Sequence, residues 1–414
     1  MDKKELLPHL FRTEYRRITS VLCKRFGFDH LEIAEDITSD TFLAAAETWG
    51  LKGTPDNPGA WLYTVARNKA KDHLKRDILF TRMAATSPQT EEHDQQEADI
   101  DLSEENIKDS QLQMMFAICQ PSLTTEAQIG LSLRILCGFG IEEIADAFLS
   151  NKDTINKRLF RAKEKLREQN VKIGFPQPGE ISTRLQAVLT TLYLLFNEGY
   201  YSVCQNNVLR KELCLEAMRL TFLLLENEQT NLPPVNALFA LMCFHASRFE
   251  ARIDEKGGII RYEDQDANLW NAELISRGKY HLNQASKGNH ISKYHLEAAI
   301  AFWHTMKADT VNKWENILQL YNKLLQIEYS PVAAMNRTYA VSKARGKPEA
   351  IAEAEKLQLI NNHLYHVLLG YLYTDIDNQT AMQCLEKALK LVKTDTEKSR
   401  IRKDLDKLRN KVIV

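Results

Sequence analysis

The stretch IEEIADAFLSNKDTINKRLFRAKEKLR, residues 141–167, decides how this chain is read. Its first part sets Ile141, Ile144, Ala145 and Phe148 at i, i+3, i+4 and i+7, the spacing of one buried helical face. Ser150 or Asn151 then stands where a short polar side chain caps a following helix. Beyond it Ile155, Leu159, Ala162 and Leu166 share one stripe, while Asp153, Asn156, Lys157, Phe160 and Arg161 fall on the roughly opposite side by the helical period. Two helices joined by a turn, the second apolar beneath and basic outside, read as a helix-turn-helix whose outer face suits the major groove of duplex DNA. The rival reading is an ordinary helical hairpin with a solvated, charged face.

A second basic segment narrows that choice. In PGAWLYTVARNKAKDHLKRD, residues 58–77, Trp61, Val65 and Ala66 take one helical side, and Arg67, Lys69, Lys71, Lys75 and Arg76 are spread over the rest. Aromatic rings interleaved with phosphate-binding cations suit single-stranded or opening DNA.

Composition bounds the architecture that can carry these segments. The 414 residues are 44% hydrophobic, enough chain for two or three cores. Glycine (16) and proline (11) are sparse and alternating β-type runs are scarce, so the expected class is all-α. The net charge of −1 does not argue against nucleic acid, because the basic residues are clustered. Seven cysteines without C-x-x-C spacing argue against a disulfide framework or a zinc site and read as small core residues in a reducing compartment. The charged N-terminus has no apolar run of signal-peptide length, and no long apolar stretch follows, so a cytoplasmic location without membrane contact is expected.

The chain divides into two small helical modules and a long helical tail. Residues 1–80 form the first module, and 81–110 a flexible acidic linker that is rich in carboxylates and poor in apolar anchors. Residues 111–172 hold the helix-turn-helix, and 173–182, which include KIGFPQPGE from 172, concentrate proline and glycine as a second linker. From 183 to 414 amphipathic helices follow one another. Trp314 and Pro348, Ile317 and Ile351, and Tyr339 and Tyr373 each stand 34 apart, the period of tetratricopeptide helix pairs. Helices are expected over 332–344, 349–357, 363–374 and 380–392, with 401–414 as a cap.

These residues resemble a known family, the bacterial sigma factors of the extracytoplasmic-function type within the sigma-70 family, and in particular the group with a tetratricopeptide-like C-terminal extension. AEDITSDTFLAAAETW (34–49) and NPGAWLYTVARNKAKDHLKRD (57–77) are similar to sigma region two, and residues 123–167 to region four. LYLLFNEGYY (192–201), LWNAELISRG (269–278), YHLEAAIAFWH (294–304) and SPVAAMNRTYAV (330–341) are similar to the extension.

The resemblance implies a dissociable subunit that binds core RNA polymerase and recognises and melts promoter DNA. It places the polymerase-docking surface on the helix around Asp36, with Asp36 and Asp40 as charged anchors and Phe42 and Leu43 beneath them; a rival reading has these acids merely dressing a surface helix. Ser39 departs from the glutamine common in the family, whereas Asp40 keeps the charge of its usual glutamate. Asn68 is the candidate for holding a flipped base, with Arg67, Lys71, Lys75 and Arg76 on phosphates and Trp61 favoured as core over base stack. In the second module Asn156, Lys157, Phe160 and Arg161 are the base-reading candidates, and Arg158 and Lys165 the backbone contacts.

The extension is expected to regulate activity, through an intramolecular contact or a separate protein partner. FNEGY (196–200) is either a domain contact or an aromatic turn in its own core. An enzyme is disfavoured: there is no H-E-x-x-H, G-x-S-x-G, P-loop or dinucleotide turn, and His245, His295, His304 and His366 read as interior histidines, so no cofactor or metal is implied. The remaining alternative is a sensor-type helix-turn-helix regulator acting without polymerase, which would have no need of the separate basic helix at 58–77.

Overall fold

The computed structural model describes residues 3–84, 100–148, 150–200, 211–253, 260, 262–392 and 394–412. Among them helices account for nearly all regular structure and no extended strand occurs, so the chain is all-α. It forms two compact units, Met1–Leu194 and Leu195–Val414.

The first unit opens with α1 (Lys3–Phe26), α2 (Leu31–Lys52) and α3 (Pro58–Ala84). The underside of α2 carries Ala34, Ile37, Thr38, Thr41, Phe42 and Ala45, a helical stripe that includes two threonines. Both threonines are buried without penalty because their hydroxyls donate back to carbonyls one turn earlier, Thr38 to Ala34 and Thr41 to Ile37, each at 2.7 Å. Phe42 packs edge-on against Phe11, with centroids 5.0 Å apart. The residue after it, Leu43, is rotated off this stripe and is 58% exposed, so it does not lie beneath the acids as the sequence suggested.

The expected acidic linker is also shorter than its composition implied. Residues 85–99 lie outside the described residues, but α3 extends to Ala84 and α4 (Glu104–Ile118) begins inside the acidic stretch. Ser103 caps α4 by accepting from the Asn106 amide, and Ile100, Leu102 and Ile107 are buried. Three well-placed apolar residues are enough to fold a segment whose average composition reads as solvated. Ion pairs tie α4 to α1: Lys24 to Asp109 at 2.7 Å, and Arg17 to Glu104.

The helix-turn-helix follows α5 (Thr125–Leu131). A single π turn, Ser132–Leu136, leads to α6 (Ile141–Ala147) and α7 (Lys152–Glu168). Asn151, not Ser150, caps α7, its side chain accepting from the Thr154 amide at 2.8 Å. The first part of α8 (Ile181–Tyr200) closes this module, with Arg184 donating to the Phe116 carbonyl and Thr191 to Gln128.

In the second unit α9 (Lys211–Glu226) is followed by α10 (Pro233–Ala246), which is buried on nearly every side and is correspondingly apolar all round. A one-turn helix α11 (Phe249–Arg252) leads to α12 (Ala272–Ala285) and α13 (Lys293–Trp303). Helical hairpins then follow: α14 (Val311–Ile327) with α15 (Pro331–Ala344), α16 (Lys347–Leu357) with α17 (His363–Tyr373), and α18 (Asn378–Leu391) with α19 (Asp395–Val412). Gly278 and Gly370 permit two of the close approaches. A Cβ on Gly278 would stand 2.6 Å from the Phe244 ring, and one on Gly370 2.8 Å from Leu385.

The 34-residue correspondence holds only in part. Ile317 is buried and Ile351 packs against the same core, but Trp314 is buried whereas Pro348 is exposed at the start of α16. In FNEGY, Phe196 and Tyr200 are buried and stacked at 5.7 Å, so these rings serve the core. The six described cysteines are buried thiols that form no disulfide among the described residues.

Candidate nucleic-acid interface

The sequence makes α7 amphipathic, and the fold uses both faces. Ile155, Leu159, Ala162 and Leu166 are buried at 4% exposure or less, anchoring the helix along its length. Asp153, Asn156, Lys157, Phe160 and Arg161 all face outward. Phe160 stands among these polar and charged side chains at 61% exposure, its ring open to solvent. Arg158 is drawn to one side, its guanidinium 5.3 Å from the Phe148 ring centroid. Lys165 is exposed and donates to the Ser122 carbonyl, bracing the C-terminal half of the helix on the loop before α5.

Two further cations of α7, Lys163 and Arg167, are engaged on α2. Lys163 Nζ lies 2.9 Å from Glu35 and 3.9 Å from Glu32. Arg167 pairs with Glu32, and its Nε donates to the Phe28 carbonyl at 2.8 Å. Arg134, on the π turn, donates to Glu35 at 2.9 Å and packs over the Tyr15 ring. Burial works against the charge of Arg167, but bonds to Glu164 and Glu32 outweigh it, and its pKa is raised. Two α2 carboxylates thus hold three cations of the helix-turn-helix module. Sequence reasoning missed this cluster because its partners stand far apart in the chain, with Glu35 and Lys163 separated by 128 positions. No local spacing signals such a pair.

On α3 the buried stripe is Leu62, Ala66 and Ala70, while Trp61 and Val65 flank it, half-buried. Trp61 meets Trp49 edge-on at 5.4 Å, so its ring is spent on packing. Asn57 starts the helix, its side chain accepting from the Ala60 amide at 3.0 Å. Asn68, Lys75 and Arg76 are exposed, and Lys71 is half-buried. Arg67 donates through Nε to the Ile100 carbonyl at 3.0 Å, so one of the expected phosphate-binding cations is held by the chain that leads into α4. Beside it the carboxyl of Asp101 is held below its usual range, mainly by the backbone N–H and hydroxyl of Ser103.

The expected docking residues divide in the same way. Asp36 and Asp40 are exposed on α2, with Lys69 of α3 3.7 Å from Asp40; Leu43 is exposed beside them and Phe42 is buried. A surface that joins acids to an exposed leucine differs from the arrangement read from sequence, in which both apolar residues supported the acids from below. Among the described residues no group of acidic, histidine and cysteine side chains could hold a metal ion, and no helix is long and apolar enough to cross a membrane.

Comparison with known proteins fits this geometry. Residues 10–77 match the model for Sigma-70 region 2, and residues 184–286 match a family of unknown function (DUF6596). The chain is 32% identical over 389 residues to Uncharacterized protein R00370 of Rhizobium meliloti (strain 1021), covering 92% of this chain and 91% of that protein. It is 26% identical over 175 residues to RNA polymerase sigma factor YlaC of Bacillus subtilis (strain 168), covering 42% of this chain and 96% of the relative. ECF RNA polymerase sigma factor BldN of Streptomyces coelicolor is 29% identical over 130 residues, 31% of this chain and 47% of the relative. No solved structure matches the chain. With the region-2 match lying over α1 to α3, and with relatives that are themselves named sigma factors, the comparisons support membership of the sigma-70 family for the part of the chain they cover.

Proposed function

We propose that the chain is a dissociable subunit of RNA polymerase that binds the core enzyme through its first module and reads and opens promoter DNA with both modules. The observation that carries the reading is the outward face of α7, where Asn156, Lys157, Arg161 and a 61%-exposed Phe160 stand on a helix anchored by four buried apolar residues. Asn156 pairs donor and acceptor with a base edge, Lys157 and Arg161 donate to guanine, and Phe160 meets a thymine methyl. Arg158 and Lys165 contact the backbone once released from Phe148 and Ser122.

On α3, Asn68 takes the flipped base and Lys71, Lys75 and Arg76 bind phosphates, joined by Arg67 when it leaves the Ile100 carbonyl. Core polymerase docks on α2 at Asp36, Asp40 and Leu43, with Phe42 fixing the helix from within. The helical extension regulates activity through a protein contact, within the chain or with a separate partner.

Run-off transcription with core polymerase from the source cell tests the reading. Full-length protein should yield discrete, promoter-specific transcripts, and Asn68→Ala should reduce them while leaving binding to core unchanged. Absence of both core binding and specific transcripts on a genome-wide template pool refutes it.

A further inference from the structure

The second unit contains a cavity of about 570 Å³, a volume typical of small-molecule sites. Its wall includes a chain of rings from four elements. Tyr262 lies 4.9 Å from His304, His304 5.6 Å from Trp314, Trp314 5.5 Å from Tyr339, and Tyr339 5.3 Å from Tyr371, between ring centroids. The first three pairs stand nearly perpendicular, at 73°, 71° and 76°, so the wall combines electron-rich faces with electropositive edges. His304 Nδ1 is buried there without a hydrogen-bond partner.

Cations stand over the rings of this wall. Arg248 lies 5.6 Å from Tyr262, Lys313 5.1 Å from Tyr262 and 5.6 Å from Trp314, Lys343 5.7 Å from Trp314, and Lys347 5.0 Å from Tyr371. Two of them are buried, Arg248 at 6% and Lys313 at 2% exposure, yet among the described residues their hydrogen bonds go to neutral oxygens. Lys313 donates to the Tyr262 hydroxyl at 2.8 Å and the Met306 carbonyl at 2.9 Å. Arg248 reaches the Tyr200 hydroxyl at 3.5 Å, and its Nε has no partner. Asp309, whose field is felt at Lys313, is itself engaged by Lys343 at 3.1 Å and by the Trp314 indole. Buried charges ordinarily meet a counter-charge, and among the described residues the cations around this wall outnumber the acids. Burial, Arg248 and Lys313 together hold His304 neutral, with its pKa pushed down to about 3, the response of a titratable group to a positive, desolvated surrounding.

From this we infer that the cavity is a binding site for a small planar aromatic anion, with the rings taking its apolar body and the uncompensated cations behind them favouring its charge. This assignment is independent of the transcription reading, since it rests on the second unit alone and is tested by binding.

The test uses two fluorescent probes of like ring system, anionic 8-anilinonaphthalene-1-sulfonate and neutral N-phenyl-1-naphthylamine, titrated into full-length protein. The anion should bind saturably and about tenfold tighter than the neutral probe, the scale of one modest charge contact. Val332→Trp, at an exposed lining position, should weaken both probes, and Lys313→Met should remove the preference for the anion. If Lys313→Met does not fold by circular dichroism, Lys347→Gln, which removes the half-buried ammonium over Tyr371, should reduce the same preference. Equal affinities in the native protein, anion binding that Val332→Trp leaves unchanged, or a preference that survives the folded charge variant overturns the inference.

Discussion

Helices α3 and α7 look alike in sequence, each a narrow apolar stripe wrapped in lysine and arginine, yet the fold treats their cations differently. On α7 the division runs along the helix: the N-terminal half presents Asn156, Lys157, Phe160 and Arg161 outward, while the C-terminal half gives Lys163 and Arg167 to Glu35 and Glu32. On α3 it runs around the helix: Asn68, Lys75 and Arg76 face out, while Arg67 is taken by the Ile100 carbonyl and Lys69 lies near Asp40. The apolar stripe decides which side is inside. Which outward cations remain available depends on the carboxylates and carbonyls that packing brings alongside, and these come from distant parts of the chain.

The largest expected effect tests the stripe itself. Leu159→Ala removes the central anchor of α7 and should cost about 2–5 kcal/mol of stability in urea denaturation, with DNA affinity falling through loss of structure. The corresponding change on α3, Ala70→Gly, removes little apolar area and should cost only about 1 kcal/mol, mainly backbone entropy.

Glu35→Gln separates the bound cations from the available ones. It removes the charge partner of both Lys163 and Arg134 and should lower stability by about 1.5–3 kcal/mol in chemical denaturation. Lys163→Ala in that background should add less than it does alone, because the two side chains share one interaction. Full additivity would mean that the cluster is not a unit.

Arg161→Ala gives the opposite signature, a loss of about 1–3 kcal/mol in affinity for promoter duplex by fluorescence anisotropy with unchanged thermal unfolding. The smallest effect belongs to α3. Lys75→Ala should weaken binding to all sequences alike and reduce the slope of log affinity against log salt by about 1. A sequence-selective loss there would erase the proposed distinction between the two helices.

What could be read in advance was whatever a helical period reports. The α7 stripe, the outward set from Asp153 to Arg161, the all-α class and the starts of α15 and α17 follow from spacing over a few turns. The errors share a cause. The resemblance sets Leu43 beneath the acids together with Phe42, but one residue is about 100° of helix, enough to turn Leu43 to solvent. Residues 100–110 were assigned by average composition, which is insensitive to the three apolar side chains that fold them. Pro348 was paired with Trp314 by interval alone, although proline at the first turn of α16 suits an exposed helix start and tryptophan suits the core.

By itself, then, the sequence determined the helical class and the inner faces of helices such as α7, because these depend on residues within one or two turns of each other. Only the tertiary structure decided that Glu32 and Glu35 occupy Lys163, Arg167 and Arg134, that Arg67 is tied to the Ile100 carbonyl, and that four rings and a histidine from separate elements wall one cavity backed by the buried cations Arg248 and Lys313. The physical reason is range. Helical periodicity is a local steric and solvation effect carried by neighbours in the chain, whereas an ion pair or an aromatic wall needs atoms brought within a few ångströms, and for side chains more than a hundred positions apart only packing supplies that proximity.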